Sequence, residues 1–458
     1  MLYKIKLISL LQVVLGIILY VAAFWSWNKP FDHDELEAVH TAWKILQGER
    51  IYVDFFQHHH PLLYFLLVPL LAVFKENVTV LIAIRVVIFC FFSLILFVTY
   101  QISVKVFDQT SSYISLILLS TTFIFTTNVI EIRPDVPQTL FGLISILFLL
   151  VYFEYKSLKY LVFSSLALVI SFLFLQKAIF LVLLVSLILL YKVYKNEIRY
   201  HSTCVYLLVF LLVYLPYISY LIYSNSLSNY VMFNWTLNVN FLSRDSPINT
   251  LILTYKTNTL IWFYYVLGII FFTKNFSQKL VNFLSLGLLI SIFLLQKAHQ
   301  QYFMQAIPLV AIMSGYSLNV LHATSKKMLL VVLLLAIALP CYSLFGGTVG
   351  MSNSSQLQKI SYVLSITKPD DYVYDGNALF NIFRKDLDFF WFSVDQGDAL
   401  TTYSRMTGYQ YNIYELVEQF KPKVISNYFI PNMSDPRIAE HYKQSSRYKD
   451  LFIRTESS

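Results

Sequence analysis

The residues best suited to chemistry cluster in one short stretch. Residues 31–64 contain Asp32, His33, Asp34, Glu35, Glu37, His40, Asp54, His58, His59 and His60. Carboxylates and imidazoles this dense can move protons or hold a divalent ion. No ligand spacing is diagnostic, so a metal is left open. Asp34 and Glu37 also fit the Asp-x-x-Glu spacing of a helix capping box, a role that can coexist with chemistry. A second group, Glu131, Arg133 and Asp135, lies between two apolar runs. Arginine presents a planar fork for phosphate, and the aspartate beside it can orient a base or a metal. A third feature is a near-repeat, Leu175-Gln176-Lys177-Ala178 and Leu295-Gln296-Lys297-Ala298, the second followed by His299. A lysine at a span end ordinarily snorkels to the interface. Two lysines with Arg133 and His299 also suit a bound anion whose charge rises as a bond breaks.

The elements that must position these groups are membrane helices. The 458 residues are 57% hydrophobic and only 13% charged. Soluble domains carry about a quarter charged residues. Runs such as Leu181 to Leu190 have no polar face, as in helices that lie in lipid or deep in a bundle. Cys90, Cys204 and Cys341 lie far apart in apolar runs. They suggest neither a disulfide framework nor a zinc ribbon and read as packing residues. The fold class is therefore a polytopic α-helical membrane protein. About eleven spans are expected, near 7–27, 79–100, 112–128, 137–153, 160–175, 178–191, 204–223, 259–272, 280–295, 302–321 and 328–345. The first reads as a signal anchor, since Ala22-Ala23-Phe24-Trp25 offers no small-residue cleavage site.

Sidedness follows from the lysines and arginines of short loops. Lys4, Lys6, Lys105, Lys156, Lys159, Lys192, Lys195, Arg199, Lys274, Lys279, Lys326 and Lys327 fall on alternate loops. The positive-inside rule puts those loops in the cytoplasm. This holds only if each Gln-Lys pair is the outer tip of a hairpin. The N-terminus is then cytoplasmic and the C-terminus extracytoplasmic, in the cell (inner) membrane. Outer pieces are 28–78, 224–258 and 346–458. In the first, Leu36, Val39, Trp43 and Leu46 form the stripe of an amphipathic juxtamembrane helix. Gly48 marks its end. A second apolar piece, 62–74, is too short to cross.

The chain divides into a transmembrane domain, 1–350, and a tail, 351–458. The tail carries twelve Lys/Arg and thirteen Asp/Glu, so the net charge of +8 belongs to the membrane part. It reads as a small α/β extracytoplasmic domain. Gln356 to Ile366 and Tyr411 to Phe420 are helix-like, and Asp371 to Tyr374 and Val424 to Ser426 strand-like. It has no Gly-rich phosphate loop, and docking or a lid is its simplest use.

The sequence resembles the C-type glycosyltransferases, in particular the bacterial branch related to protein O-mannosyltransferases and the lipid A aminoarabinose transferase. Asp34-Glu35 matches the Asp-Glu pair of their first outer loop. Gly48, Tyr52-Val53-Asp54 and His60-Pro61-Leu62-Leu63-Tyr64 follow in the family's order, with His60 where many relatives carry lysine. Arg85 resembles an arginine near the start of their second span. Arg133-Pro134-Asp135 resembles the Arg/Asp turn of their second outer loop. Lys177 resembles their Lys-Gly lysine, with Ala178 in place of glycine. Lys297, His299, Gln301, Tyr302 and Pro308 resemble their late Lys…Tyr…Pro segment.

The resemblance implies transfer of a sugar from a polyprenyl-phosphate donor to an extracytoplasmic glycan, lipid or protein, with inversion. Asp34 would be the base or would orient the acceptor, tuned by Glu35 or Asp135. Arg133, Lys177, Lys297, His60 and Arg85 would hold the donor phosphate. Asp54, His59, His299 and Tyr302 would position donor and acceptor. No cofactor is certain beyond the open metal question, and no nucleic acid is expected as a partner. The alternative function is a polytopic transporter or lipid flippase. Transporter sites usually lie near the midplane between repeats, whereas here the charges gather in outer loops.

Overall fold

The computed structural model describes residues 2–242, 246–271, 273–323, 325–348, 351–392 and 398–455. Arg244 and Asp245, which the sequence places in the 224–258 loop, lie outside them. The chain is mostly helical and multi-pass. Six helices among the described residues are long and apolar enough to cross a bilayer: Lys6–Asn28, Val80–Val106, Asp135–Tyr155, Gln176–Tyr194, Tyr200–Tyr223 and Phe276–Leu294. Helices Gln109–Ser120, Leu158–Phe174, Thr259–Phe271, Ile307–Leu321 and Lys326–Thr348 occupy the other expected spans. Helices satisfy every backbone N–H and C=O internally, which lipid requires.

The chain separates into two compact units. The first comprises Met1–Trp27, Arg85–Ile218 and Asp245–Met351. Its helices approach through small residues, as membrane helices do. Ser164 Oγ donates to Ser145 O at 2.9 Å, joining Leu158–Phe174 to Asp135–Tyr155. A Cβ on Gly315 would overlap Ser115, so glycine there lets Ile307–Leu321 reach Gln109–Ser120. The expected single span 112–128 is interrupted. Thr121 and Thr122 hydroxyls bond back to Ile117 O at 2.9 Å and Leu119 O at 2.8 Å. Thr122 then caps a new short helix, Phe123–Thr127. Such back-bonding offers the chain an exit from the helix.

Both Gln-Lys pairs fall at breaks. Leu175 is extended and Gln176–Ala178 forms one tight turn. The other pair follows the turn Ile292–Leu294 and precedes Gln300–Phe303. The reading of the cysteines as packing residues needs correction. Cys90 and Cys204 lie on exposed helix faces, where a small apolar side chain suits lipid as well as core. The side chain of Cys341 lies outside the described residues.

The second unit comprises Asn28–Ile84, Ser219–Arg244 and Ser352–Ser458. Its four-stranded sheet has the order β1-β2-β4-β3, with β1 Val373–Tyr374, β2 Val424–Ser426, β3 Tyr442–Gln444 and β4 Leu451–Arg454. β1 and β2 are parallel, and the other pairs antiparallel. Helix Ile413–Phe420 packs Ile413 and Val417 against Tyr374, Ile425 and Tyr442. The tail is tied at its root to the segment that follows the first membrane helix. Gln356 Oε1 accepts from Phe31 N at 2.7 Å, and its Nε2 donates to Phe31 O at 2.9 Å.

Candidate functional site

In the second unit, helix His33–Leu46 carries the acidic pair. Its capping box uses Asp32 and Glu35, not Asp34 and Glu37. Asp32 Oδ1 accepts from Asp34 N at 3.1 Å, and Glu35 Oε2 accepts from Asp32 N at 3.0 Å. Both pairs have the right spacing, but the chain turns helical at His33, so Asp32 is the residue outside. Glu35 is thus buried in a structural role, while the Asp34 side chain is 37% exposed. Gly48, at φ +91°, lets the backbone turn away after the helix.

Asp34 Oδ1 lies 3.1 Å from His33 Nε2, and Asp32 Oδ1 lies 3.3 Å from His33 Nδ1. One ligand atom from each of Asp32, His33 and Asp34 can come within 4.8 Å of the others. Two carboxylates and an imidazole suit a divalent ion in donor type.

The helix's polar face does not meet water. Glu37, His40, Thr41 and Lys44 are all buried. Gln57 links this face to the histidine run. Its Nε2 donates to Glu37 Oε1 and, at 3.1 Å, to Thr41 Oγ1. Its Oε1 accepts from His58 N at 2.7 Å and His59 N at 3.1 Å. His60 is fully buried, with Nε2 2.8 Å from Tyr230 OH. Tyr52, at φ 68°, donates its hydroxyl to His59 O at 2.7 Å. Asp54 is gripped by Arg50, with Nε at 3.1 Å and Nη2 at 2.9 Å. That contact holds its carboxyl below the usual range.

Burial, with the charge of Asp34 adding to it, pushes the Glu37 carboxyl up to about 8. Glu37 is therefore protonated at neutral pH. Between its ordinary value of 4.5 and about 8, the unfolded chain releases a proton that the folded chain keeps. Stability attributable to Glu37 is full below the lower value and lost as pH rises through the upper. At about 1.4 kcal/mol per unit the loss is on the order of 5 kcal/mol. Glu37→Gln keeps the acceptor for Gln57 and removes the titration. Thermal unfolding in detergent at pH 6 and pH 9 is expected to show a smaller drop for the variant. Parallel pH profiles would rule this out.

In the first unit, Asp135 and Lys177 meet. Asp135 opens helix Asp135–Tyr155, and its Oδ1 lies 3.8 Å from Lys177 Nζ. That ammonium sits 3.0 Å from the centre of the Tyr302 ring, a cation–π arrangement. The three line a small cavity of about 20 Å³ with Gln138, Gln301 and Gln305. Its size suits one water, which the polar groups on its wall can bind. Arg133 Nε donates to Glu131 Oε2 at 2.6 Å, and Asn128 Nδ2 to the same oxygen at 3.1 Å. Arg85, 1% exposed, donates to Ser26 O at 3.0 Å, the carbonyl-rich end of the first helix. Lys297 and His299 lie on the irregular stretch before Gln300–Phe303, with His299 5.4 Å from the Tyr302 ring.

Within the first unit the structure thus gathers Asp135, Lys177, Tyr302 and His299. Within the second it gathers Asp34 with His33, and His60 with Tyr230. Gln57, Gln138, Gln305 and Tyr230 were not singled out by sequence, because lone amides and phenols carry no spacing signal.

The geometry has known counterparts. The family model for dolichyl-phosphate-mannose-protein mannosyltransferases matches residues 58–222. ArnT from Cupriavidus metallidurans, bound to undecaprenyl phosphate, superposes with a TM-score of 0.69 over 97% of this chain and 97% of that one, at 12% identity. The fold is that of the C-type glycosyltransferases. The same C-type fold relates the chain to the oligosaccharyltransferase AglB from Archaeoglobus fulgidus, in complex with an inhibitory peptide and a dolichol-phosphate. There the TM-score is 0.58 at 11% identity, over 96% of this chain and 74% of that one. No curated protein sequence matches the chain.

Proposed function

We propose that the protein is an integral-membrane glycosyltransferase that moves a sugar from a polyprenyl-phosphate donor to a hydroxyl acceptor on the outer face. The observation that carries this reading is the C-type fold shared along 97% of both chains with a structure bound to undecaprenyl phosphate. The half-exposed Asp34, at the helix start where the family places its acidic pair, supports it.

In the reaction, the acceptor O–H proton passes to the Asp34 carboxylate. The acceptor oxygen forms a bond to the anomeric carbon from the face opposite the phosphate. The bond from that carbon to the phosphate oxygen breaks, and its electron pair leaves with the lipid phosphate. Configuration inverts in one displacement. Lys177, Arg133, Lys297, His60 and Arg85 are assigned to the donor phosphate, where fixed cations favour the rise in charge. Asp135 holds Lys177, and Glu35 fixes the helix start. Asp54, His59, His299 and Tyr302 are assigned to positioning. A divalent ion at Asp32, His33 and Asp34 would supply further positive charge.

Purified protein in vesicles carrying a polyprenyl-phosphate-linked sugar tests the reading. The expected result is release of free polyprenyl phosphate together with a new glycosidic product. Movement of intact donor across the bilayer without bond cleavage would make the protein a flippase instead.

A further inference from the structure

The polar face of helix His33–Leu46 ends in a buried charge cluster that the transfer reaction does not use. His40 and Lys44, one helical turn apart, both point at Asp386 of the C-terminal segment. His40 Nε2 and Lys44 Nζ each lie 2.8 Å from Asp386 Oδ2. The side chains of His40, Lys44 and Asp386 are 0%, 5% and 8% exposed. Glu49, 3.0 Å from Lys44, adds a second carboxylate at the rim. His40 Nδ1 has no hydrogen-bond partner among the described residues, so the proton shared with Asp386 sits on Nε2. The ring lies between Trp43 and Trp391, with centroids 5.3 Å and 4.6 Å away.

Asp386 is itself held from behind. Its other oxygen accepts from Asn381 Nδ2 at 3.0 Å. Asn381 ends a loop wound around the buried Asp375 carboxylate. That carboxylate accepts five backbone N–H groups, from Asn377, Ala378, Leu379, Phe380 and Asn381, at 2.7–3.2 Å. Arg384, also buried, donates its N–H to Asn381 Oδ1 and its Nη1 to Glu76, at 3.1 Å and 2.7 Å. The same segment grips the histidine run. Phe56 N donates to Phe389 O at 2.9 Å, and Trp391 Nε1 donates to Phe56 O at 3.1 Å. One hydrogen-bonded stretch, 375–391, therefore holds both the helix that carries Asp34 in its first turn and the segment that leads to His58, His59 and His60.

We propose that Asp386 is a positioning residue for transfer, acting through His40 and Lys44 on the placement of helix His33–Leu46. The C-terminal segment is then a working part of the transfer site. The proposal rests on the transferase reading and on Asp34 as its base. A misplacement of about 1 Å in a reacting group can cost roughly a hundredfold in rate. Loss of the Asp386 charge leaves the buried Lys44 ammonium with the rim carboxylate of Glu49 alone, so the helix shifts toward the rim to relieve the poorly matched charge.

The test compares wild type, Asp386→Asn and Lys44→Met/Asp386→Asn. Turnover is counted per folded molecule, and hydrogen exchange of the backbone is read in parallel. Asp386→Asn is expected to lower kcat about 10- to 100-fold with the donor KM within about twofold. Exchange should rise in residues 33–46 and 56–60 and stay unchanged in the membrane helices. The double variant, which also removes the ammonium left with Glu49 alone, should recover about tenfold of the lost kcat. Wild-type kcat per folded molecule in Asp386→Asn, whatever its yield, overturns the proposal. So does a double variant no better than the single. If wild type itself transfers nothing, the transferase reading has failed, and exchange alone decides the clamp: a local rise supports it and no change overturns it.

Discussion

Asp34→Asn is expected to insert and fold like the wild type and to lose transfer by roughly 10²- to 10⁴-fold, the span that a positioned general base contributes. The structure gives reasons to expect normal folding. The helix start is capped by Asp32 and Glu35, so Asp34 is not needed for it. Its side chain is 37% exposed, and asparagine has the same shape. The Asp34 N–H that Asp32 accepts belongs to the backbone and survives the change. The loss should fall on kcat, because the donor phosphate is assigned to other residues. Turnover of purified variant, normalised to folded protein by size-exclusion profile, checks this. Full activity would remove Asp34 from the mechanism.

Lys177→Met is expected to lower transfer by about 10²- to 10³-fold, as loss of one fixed charge-stabilising donor does elsewhere. Methionine keeps the length of the stem and its packing on Tyr302, so the change isolates the charge. It also leaves Asp135, 6% exposed, without the ammonium 3.8 Å away. The double variant Lys177→Met/Asp135→Asn separates the two effects. If Lys177 serves only as a counter-ion for Asp135, the double variant should regain most activity. If it holds the leaving phosphate, the double variant should remain as slow as the single. Transfer rates at saturating donor distinguish these results, and near-wild-type turnover in Lys177→Met would exclude Lys177 from the reaction.

The membrane helices were legible because long apolar runs without period-two alternation satisfy their backbone groups in lipid only as helices. Their interruptions were harder to see. Ser120, Thr121 and Thr122 look like ordinary small packing residues, and only their back-bonded hydroxyls reveal the break near 121–122. In the tail, β2 was visible as Val424 to Ser426, three fully buried residues. β3 and β4 were not, since Lys443, Gln444 and Arg454 dilute any alternation of apolar and polar residues. Within residues 28–78, spacing could not choose between Asp32 and Asp34 as the cap. That depended on where the backbone turns from extended to helical, which is settled by neighbours such as Gln356 on Phe31. The Lys177 and Asp135 pair was readable as two charges near span ends, but its third member, Tyr302, came from the family pattern alone. The partners of His40 and Lys44 were invisible, because Asp386 is one acidic residue among thirteen in a tail of balanced charge.

The distance along the chain between those partners has a consequence for synthesis. Asp386 follows His40 by 346 residues and Lys44 by 342. At about 5–20 residues per second, a ribosome needs roughly 20–70 s to cover that stretch. Throughout that time helix His33–Leu46 has already been made, while the carboxylate that its ammonium and imidazole meet has not. The nascent protein therefore acquires its early membrane helices long before helix His33–Leu46 can settle. A ribosome that stalls before codon 386 leaves a membrane-embedded chain whose helix His33–Leu46 lacks the carboxylate that holds it.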